Sequence, residues 1–208
     1  VSLTIKEICA FGPVIAVIEI EDVKDALPLA EALMAGGIHT IEITLRTRQA
    51  LDAIKVVAGI PNLHVGVGTL LTADDVKYAK AAGATFGVSP GATSELLHAC
   101  GKEKFPFLPG VATPSEVATL KLHGFEIQKF FPAEAVGGTS MLKAIAGPFN
   151  DVSFCPTGGI SMENAEAYLS LSNVLCVGGS WVASKKLIAE KAWDVIEANA
   201  RSASQLSA

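Results

Sequence analysis

Short β-branched runs alternate with stretches of helical period along the whole chain. Residues 14–20 read VIAVIEI and predict a first strand, because continuous apolar runs of this length suit a strand buried on both faces. Residues 22–35 follow with an amphipathic pattern, with Asp22 as the N-cap and Gly36-Gly37 as the stop. The same reading predicts strands over 40–45, 63–68, 84–88, 105–108, 127–131, 153–155 and 174–177. Helices are predicted over 48–58, from the Thr72 cap to Ala82, and over 94–100 and 114–123, where Pro114 takes the favoured first helical position. Further helices are predicted over 140–146, 162–170 and most of 185–202. An extra amphipathic helix at about 4–10 precedes the first strand.

Eight successive βα units in 208 residues, with no linker or low-complexity tract, predict one (β/α)8 barrel domain spanning 1–208. A doubly wound open sheet is the competing architecture. Its phosphate-binding form places glycines after the first strand, where this chain reads IEIED. Half of the residues are hydrophobic and 18% are charged, which agrees with strands covered on both faces. A net charge of -5 argues against nucleic acid or an anionic membrane as a general partner, and no apolar run is long enough to predict a membrane span. The four cysteines are widely spaced, without a CxxC pair, and are expected to be free buried thiols in a reducing cytoplasm. Nothing at the start resembles a signal peptide.

Barrels of this kind place their chemistry at the C-terminal ends of the strands. Lys129 stands in the sixth predicted strand, and alternation puts it on one face with Ile127 and Phe131. Burial disfavours the ammonium form of a lysine and so frees an amine for nucleophilic attack; the plainer reading is a strand-end lysine reaching for solvent. In the second strand Glu42, Thr44 and Arg46 share a face. There Glu42 would move protons near the lysine and Arg46 would fork onto a substrate carboxylate, or the two would simply pair with each other. Thr157-Gly158-Gly159 and Gly178-Gly179-Ser180 end the last two strands, where glycine N–H groups suit an anion, although glycine also serves ordinary turns. Thr69 offers a hydroxyl and Ser89-Pro90-Gly91 a rigid turn. His39, His64, His98 and His123 are read as structural, and no His/Asp/Glu cluster calls for a metal.

These motifs together resemble one family. The segments IEITLRT (41–47), GVGT (66–69), VSPG (88–91), PGVATPSE (109–116), KFFPAEA (129–135), AGPF (146–149), CPTGGI (155–160) and VGGSW (177–181) are similar to those of bacterial 2-keto-3-deoxy-6-phosphogluconate (KDPG) aldolases. Many of those enzymes also cleave 4-hydroxy-2-oxoglutarate (KHG). The resemblance implies a homotrimeric class I aldolase that needs neither cofactor nor metal and acts on a small 2-keto acid. It implies Lys129 as the Schiff-base lysine and Glu42 as the proton-transfer carboxylate. Arg46, Thr69, Pro90, Phe131 and Thr157 would line the substrate pocket, with Gly158, Gly159, Gly179 and Ser180 at the phosphate. One departure concerns the first strand, where some relatives carry Arg at the position of Glu19. Two rival readings share the glycine loops: a non-covalent phosphate-binding isomerase or synthase, and a phospho-sugar-binding regulator without turnover.

Overall fold

The computed structural model describes residues 3–207. Among the described residues nine strands form: β1 (Val14–Ile18), β2 (Thr40–Thr44), β3 (His64–Gly68), β4 (Phe86–Val88), β5 (Phe107–Leu108), β6 (Gly110–Val111), β7 (Ile127–Phe130), β8 (Ser153–Pro156) and β9 (Val177–Gly179). Ten α-helices accompany them: α1 (Ile5–Cys9), α2 (Ala26–Ala35), α3 (Ala50–Val57), α4 (Ala73–Ala81), α5 (Ser94–Lys102), α6 (Pro114–Leu122), α7 (Gly138–Ala146), α8 (Ala165–Leu169), α9 (Lys185–Ala189) and α10 (Trp193–Ser204). Every strand pair is parallel, in a six-stranded sheet ordered β5-β4-β3-β2-β1-β9 and a three-stranded sheet ordered β6-β7-β8. The result is an α/β fold with a curled parallel sheet.

Alternation along the strands sorts side chains into two cores. Ile18, Ile41, Ile43, Phe130 and Phe154 point outward into the large cluster beneath the helices. Ile15, Phe86, Val88, Leu108, Cys155 and Cys176 form a smaller cluster, completed by Ile8 and Cys9 of α1. The first helix therefore contributes two of its residues to this second core. A capping box fixes its start: Thr4 Oγ1 accepts from the Glu7 N–H at 3.2 Å, and Glu7 Oε2 accepts from the Thr4 N–H at 2.7 Å.

The elements depart from expectation where local geometry intervenes. Asp22 caps a 3-10 turn (Val23–Asp25) before α2 rather than the α-helix itself, accepting from the Lys24 N–H at 3.0 Å. The fifth predicted strand shortens to β5, and β6 forms beyond its predicted end, separated from β5 by Pro109, which has no N–H to donate. The last predicted helix also divides, into α9 and α10, where Lys191 takes φ 54°. The eighth strand forms later than expected, at 177–179, while Val174 makes an isolated bridge to Phe154.

Candidate active site

Lys129 and Glu42 meet from strands far apart in the sequence. Lys129 on β7 is flanked in register by Gly110 and Cys155, and Glu42 on β2 by Val17 and Gly66. Both are buried, at 5% and 3% exposure, and Lys129 Nζ donates to Glu42 Oε1 at 3.2 Å. The same Nζ lies 5.4 Å from the centroid of the Phe131 ring, two residues along the chain on the same face. A charge so buried is costly unless paired, and each of these two groups supplies the other's partner.

Glycine makes room for the carboxylate. A Cβ on Gly68, which pairs with Thr44 in register, would stand 2.7 Å from Glu42 Cγ and 2.8 Å from Cδ. Thr69 follows directly at φ 61°, a left-handed conformation that is costly for a β-branched residue and is held there by its surroundings.

A cavity of about 250 Å³ opens beyond the ends of β1, β7, β8 and β9. Six of the residues expected at the site line it: Arg46, Phe131, Thr157, Gly158, Gly159 and Ser180. Lys129 and Glu42 lie outside its wall, with Lys129 beside the Phe131 ring. Thr69 and Pro90 are half-buried and also lie outside this wall. Gly179 is buried beneath the Trp181 ring, so that Gly178 rather than Gly179 faces the cavity.

The backbone continues past the strand ends in a way that fixes this wall. The Thr157 N–H donates to the Phe130 carbonyl at 2.9 Å, the Ala133 N–H to Thr157 at 2.8 Å, and the Glu134 N–H to Gly158 at 3.1 Å. Gly158 and Gly159 take φ 99° and 78°, conformations that favour glycine. Gly159 packs on Glu134, whose carboxylate accepts from the Tyr168 hydroxyl. Burial and the Glu134 carboxylate push the Tyr168 hydroxyl up, so it remains a donor. Thr157 Oγ1 is buried against Gly178 without a hydrogen-bond partner among the described residues.

Arg46 does not pair with Glu42. Its guanidinium donates to Glu19 Oε1 at 3.0 Å, while Lys185 Nζ approaches Glu19 Oε2 at 2.5 Å. Partial burial alone would raise the Glu19 carboxyl, but Lys185 and Arg46 outweigh it and hold the group below the usual range. Gly178 of the expected glycine loop and Glu19, noted as a departure, also line the cavity, together with Lys185, Ser184, Val17 and Ile160, which were not among the expected site residues. The period-2 pattern Ile15, Val17, Glu19 could have placed the first strand's inward face there, whereas Lys185 carries no local signal.

Known proteins with the same construction bear on this geometry. The family described as KDPG and KHG aldolase matches residues 5–199. The 2-dehydro-3-deoxy-phosphogluconate aldolase of Pseudoalteromonas atlantica is 48% identical over 199 residues, covering 95% of this chain and 93% of the relative. The KHG/KDPG aldolase of Escherichia coli K12 is 45% identical over 199 residues, with the same coverage of 95% and 93%. The Legionella pneumophila KDPG aldolase, solved with pyruvate captured at low pH as a covalent carbinolamine, superposes with a TM-score of 0.95 at 46% identity, covering 98% of this chain and 99% of that one. This chain belongs to the KDPG and KHG aldolase family.

Proposed function

We propose that the protein is a class I aldolase that cleaves KDPG to pyruvate and glyceraldehyde 3-phosphate, and KHG to pyruvate and glyoxylate. The observation that carries this reading is the buried Lys129 amine, 3.2 Å from the Glu42 carboxylate and beside the cavity-lining Phe131. In its neutral form Lys129 attacks C2 of the 2-keto acid, and the carbinolamine loses water to give a protonated imine. The imine accepts the electrons of the C3–C4 bond once the C4 hydroxyl gives up its proton, and the aldehyde half leaves. The pyruvate enamine is then protonated at C3, and water releases pyruvate and the amine. Glu42 serves as the acid and base in these transfers, directly or through water.

Arg46 and Thr69 hold the carboxylate next to the keto group, while Pro90, Phe131 and Thr157 shape the wall. Gly158, Gly159 and Ser180 receive the phosphate, with Gly178 lining the cavity in place of the expected Gly179. Binding at both ends fixes which carbon faces the amine. Neither the cofactor nor the metal of other aldolase chemistries enters this scheme.

We read the two sheets as one (β/α)8 barrel in a single domain, with α1 as the extra helix. Two features support closure: Pro109 alone separates β5 from β6, and the parallel bridges Phe154 to Val174 and Thr157 to Gly178 link β8 to the last strand. A cytoplasmic homotrimer completes the proposal.

The test is reductive trapping. Pyruvate and borohydride should leave a stable adduct on Lys129, located by peptide mass. Its absence, or the absence of pyruvate release from both substrates, would sink the reading and favour a non-covalent barrel enzyme or a binding protein.

A further inference from the structure

We propose that Lys185 recognises the phosphate at the far end of the substrate, and that Glu19 is the counter-ion from which this phosphate displaces it. The inference rests on the aldolase reading above and adds a specificity-determining pair to it.

β1 lies between β9 and β2 in the sheet, so a side chain just past its end can be reached from both neighbours. Glu19 occupies that point. Arg46, beyond β2, takes one carboxylate oxygen at 3.0 Å, and Lys185, beyond β9, takes the other at 2.5 Å. Among the residues lining the cavity, Arg46 and Lys185 are the cations and Glu19 is the carboxylate, which leaves one net positive charge. A substrate with a carboxylate at one end and a phosphate at the other meets two cations that are both already paired with Glu19, so its two ends compete with that carboxylate for them.

The two cations differ in kind. Arg46 offers a planar fork suited to a carboxylate, whereas Lys185 is a compact charge on a flexible stem suited to phosphate. Lys185 shares the cavity with Gly158, Gly159 and Ser180. The Lys185 side chain is 60% exposed and that of Glu19 only 17%, so the ammonium is the member free to move. Exposed ion pairs contribute little, and exchanging this one for a phosphate dianion is favourable.

The test uses the fact that Lys185→Met and Glu19→Gln break the same ion pair. If the pair only held the loop, both substitutions would raise KM. Under the proposal they act oppositely. K185M should raise KM for KDPG about tenfold and move KM for KHG less than about twofold, as expected for one charge-assisted contact to the phosphate. E19Q should lower KM for KDPG, by roughly threefold, by removing a competing anion. A shift in the same direction in both variants, or an equal effect of K185M on both substrates, overturns the proposal. Pyruvate–borohydride trapping of the unsubstituted protein separates the two levels. A missing adduct strikes the aldolase reading itself, whereas a normal adduct with the wrong KM pattern strikes only the role of Lys185.

Discussion

Lys129 and Glu42 form a buried ion pair at 3.2 Å, and no other hydrogen bond of the Glu42 side chain is present among the described residues. The carboxylate is therefore committed to one partner. Once the amine becomes an imine in the proposed cycle, Glu42 is released toward the substrate's oxygen. Glu42→Gln keeps the shape but cannot accept a proton. It should lower kcat by roughly a hundred- to ten-thousand-fold, the usual range for a lost acid–base group, while the borohydride adduct still accumulates more slowly. An unchanged kcat would remove Glu42 from the chemistry.

Gly68 provides a second handle on the same carboxylate. In Gly68→Ala the new Cβ would lie 2.7 Å from Glu42 Cγ, and the β3 backbone is held by its pairing with β2. The carboxylate must give way. We expect kcat to fall and stability to drop by about 1–3 kcal/mol, as for overpacked cores. Gly59→Ala, with nothing within 4 Å of the added carbon, should leave both kcat and the urea midpoint in place. Equal behaviour of the two variants would contradict the close fit.

Much of this site was legible in the sequence because strands impose a period of two. Lys129 stood out as a charge in an apolar strand, and its shared face with Phe131 was correct. The same period left open a pairing of Arg46 with Glu42, and that alternative does not form. Four residues along a strand span about 13 Å, so shared facing does not bring two side chains into contact. Glu42 turns to Lys129 across the fold, and Arg46 turns sideways to Glu19 on the neighbouring strand. Glu19 was visible as an odd charge after β1, but Lys185 lies far along the chain and only the β1–β9 pairing brings it near. The break between α9 and α10 was hidden because Lys191, not glycine, takes the left-handed conformation there.

Thr69 sets stability against binding. A β-branched residue at φ 61° is strained, and Thr69→Gly should recover up to about 1 kcal/mol of stability in chemical denaturation. The same variant should need more pyruvate to reach half-maximal borohydride trapping, since the hydroxyl proposed to hold the carboxylate is gone. A tighter pyruvate response would exclude that role.

Cys100 makes stability depend on alkaline pH. Burial pushes its thiol up from 9.0 to about 12. Above about pH 9 the unfolded chain loses this proton while the folded chain keeps it, so the unfolded state binds fewer protons and stability falls as pH rises. The slope for this one group reaches at most about 1.4 kcal/mol per pH unit, up to the folded value. Urea unfolding at several pH values between about 8 and 10.5 should show a decline that is shallower in Cys100→Ala. Parallel pH curves for the two proteins would contradict the shift.

The main-chain ladder that runs from Phe130 and Ala133 to Thr157, and from Glu134 to Gly158, ties the lysine strand to the glycine loop without using a side chain. The separation between the reacting amine and the anchor for the substrate's tail thus belongs to the backbone itself, as in a caliper locked at one setting. Side-chain replacements at either jaw alter how firmly a ligand is gripped and leave the setting untouched. The bond that breaks stays the one next to the imine carbon, so a changed setting selects a different substrate length: accepting a tail one carbon longer would require adding or removing residues between Phe131 and Glu134.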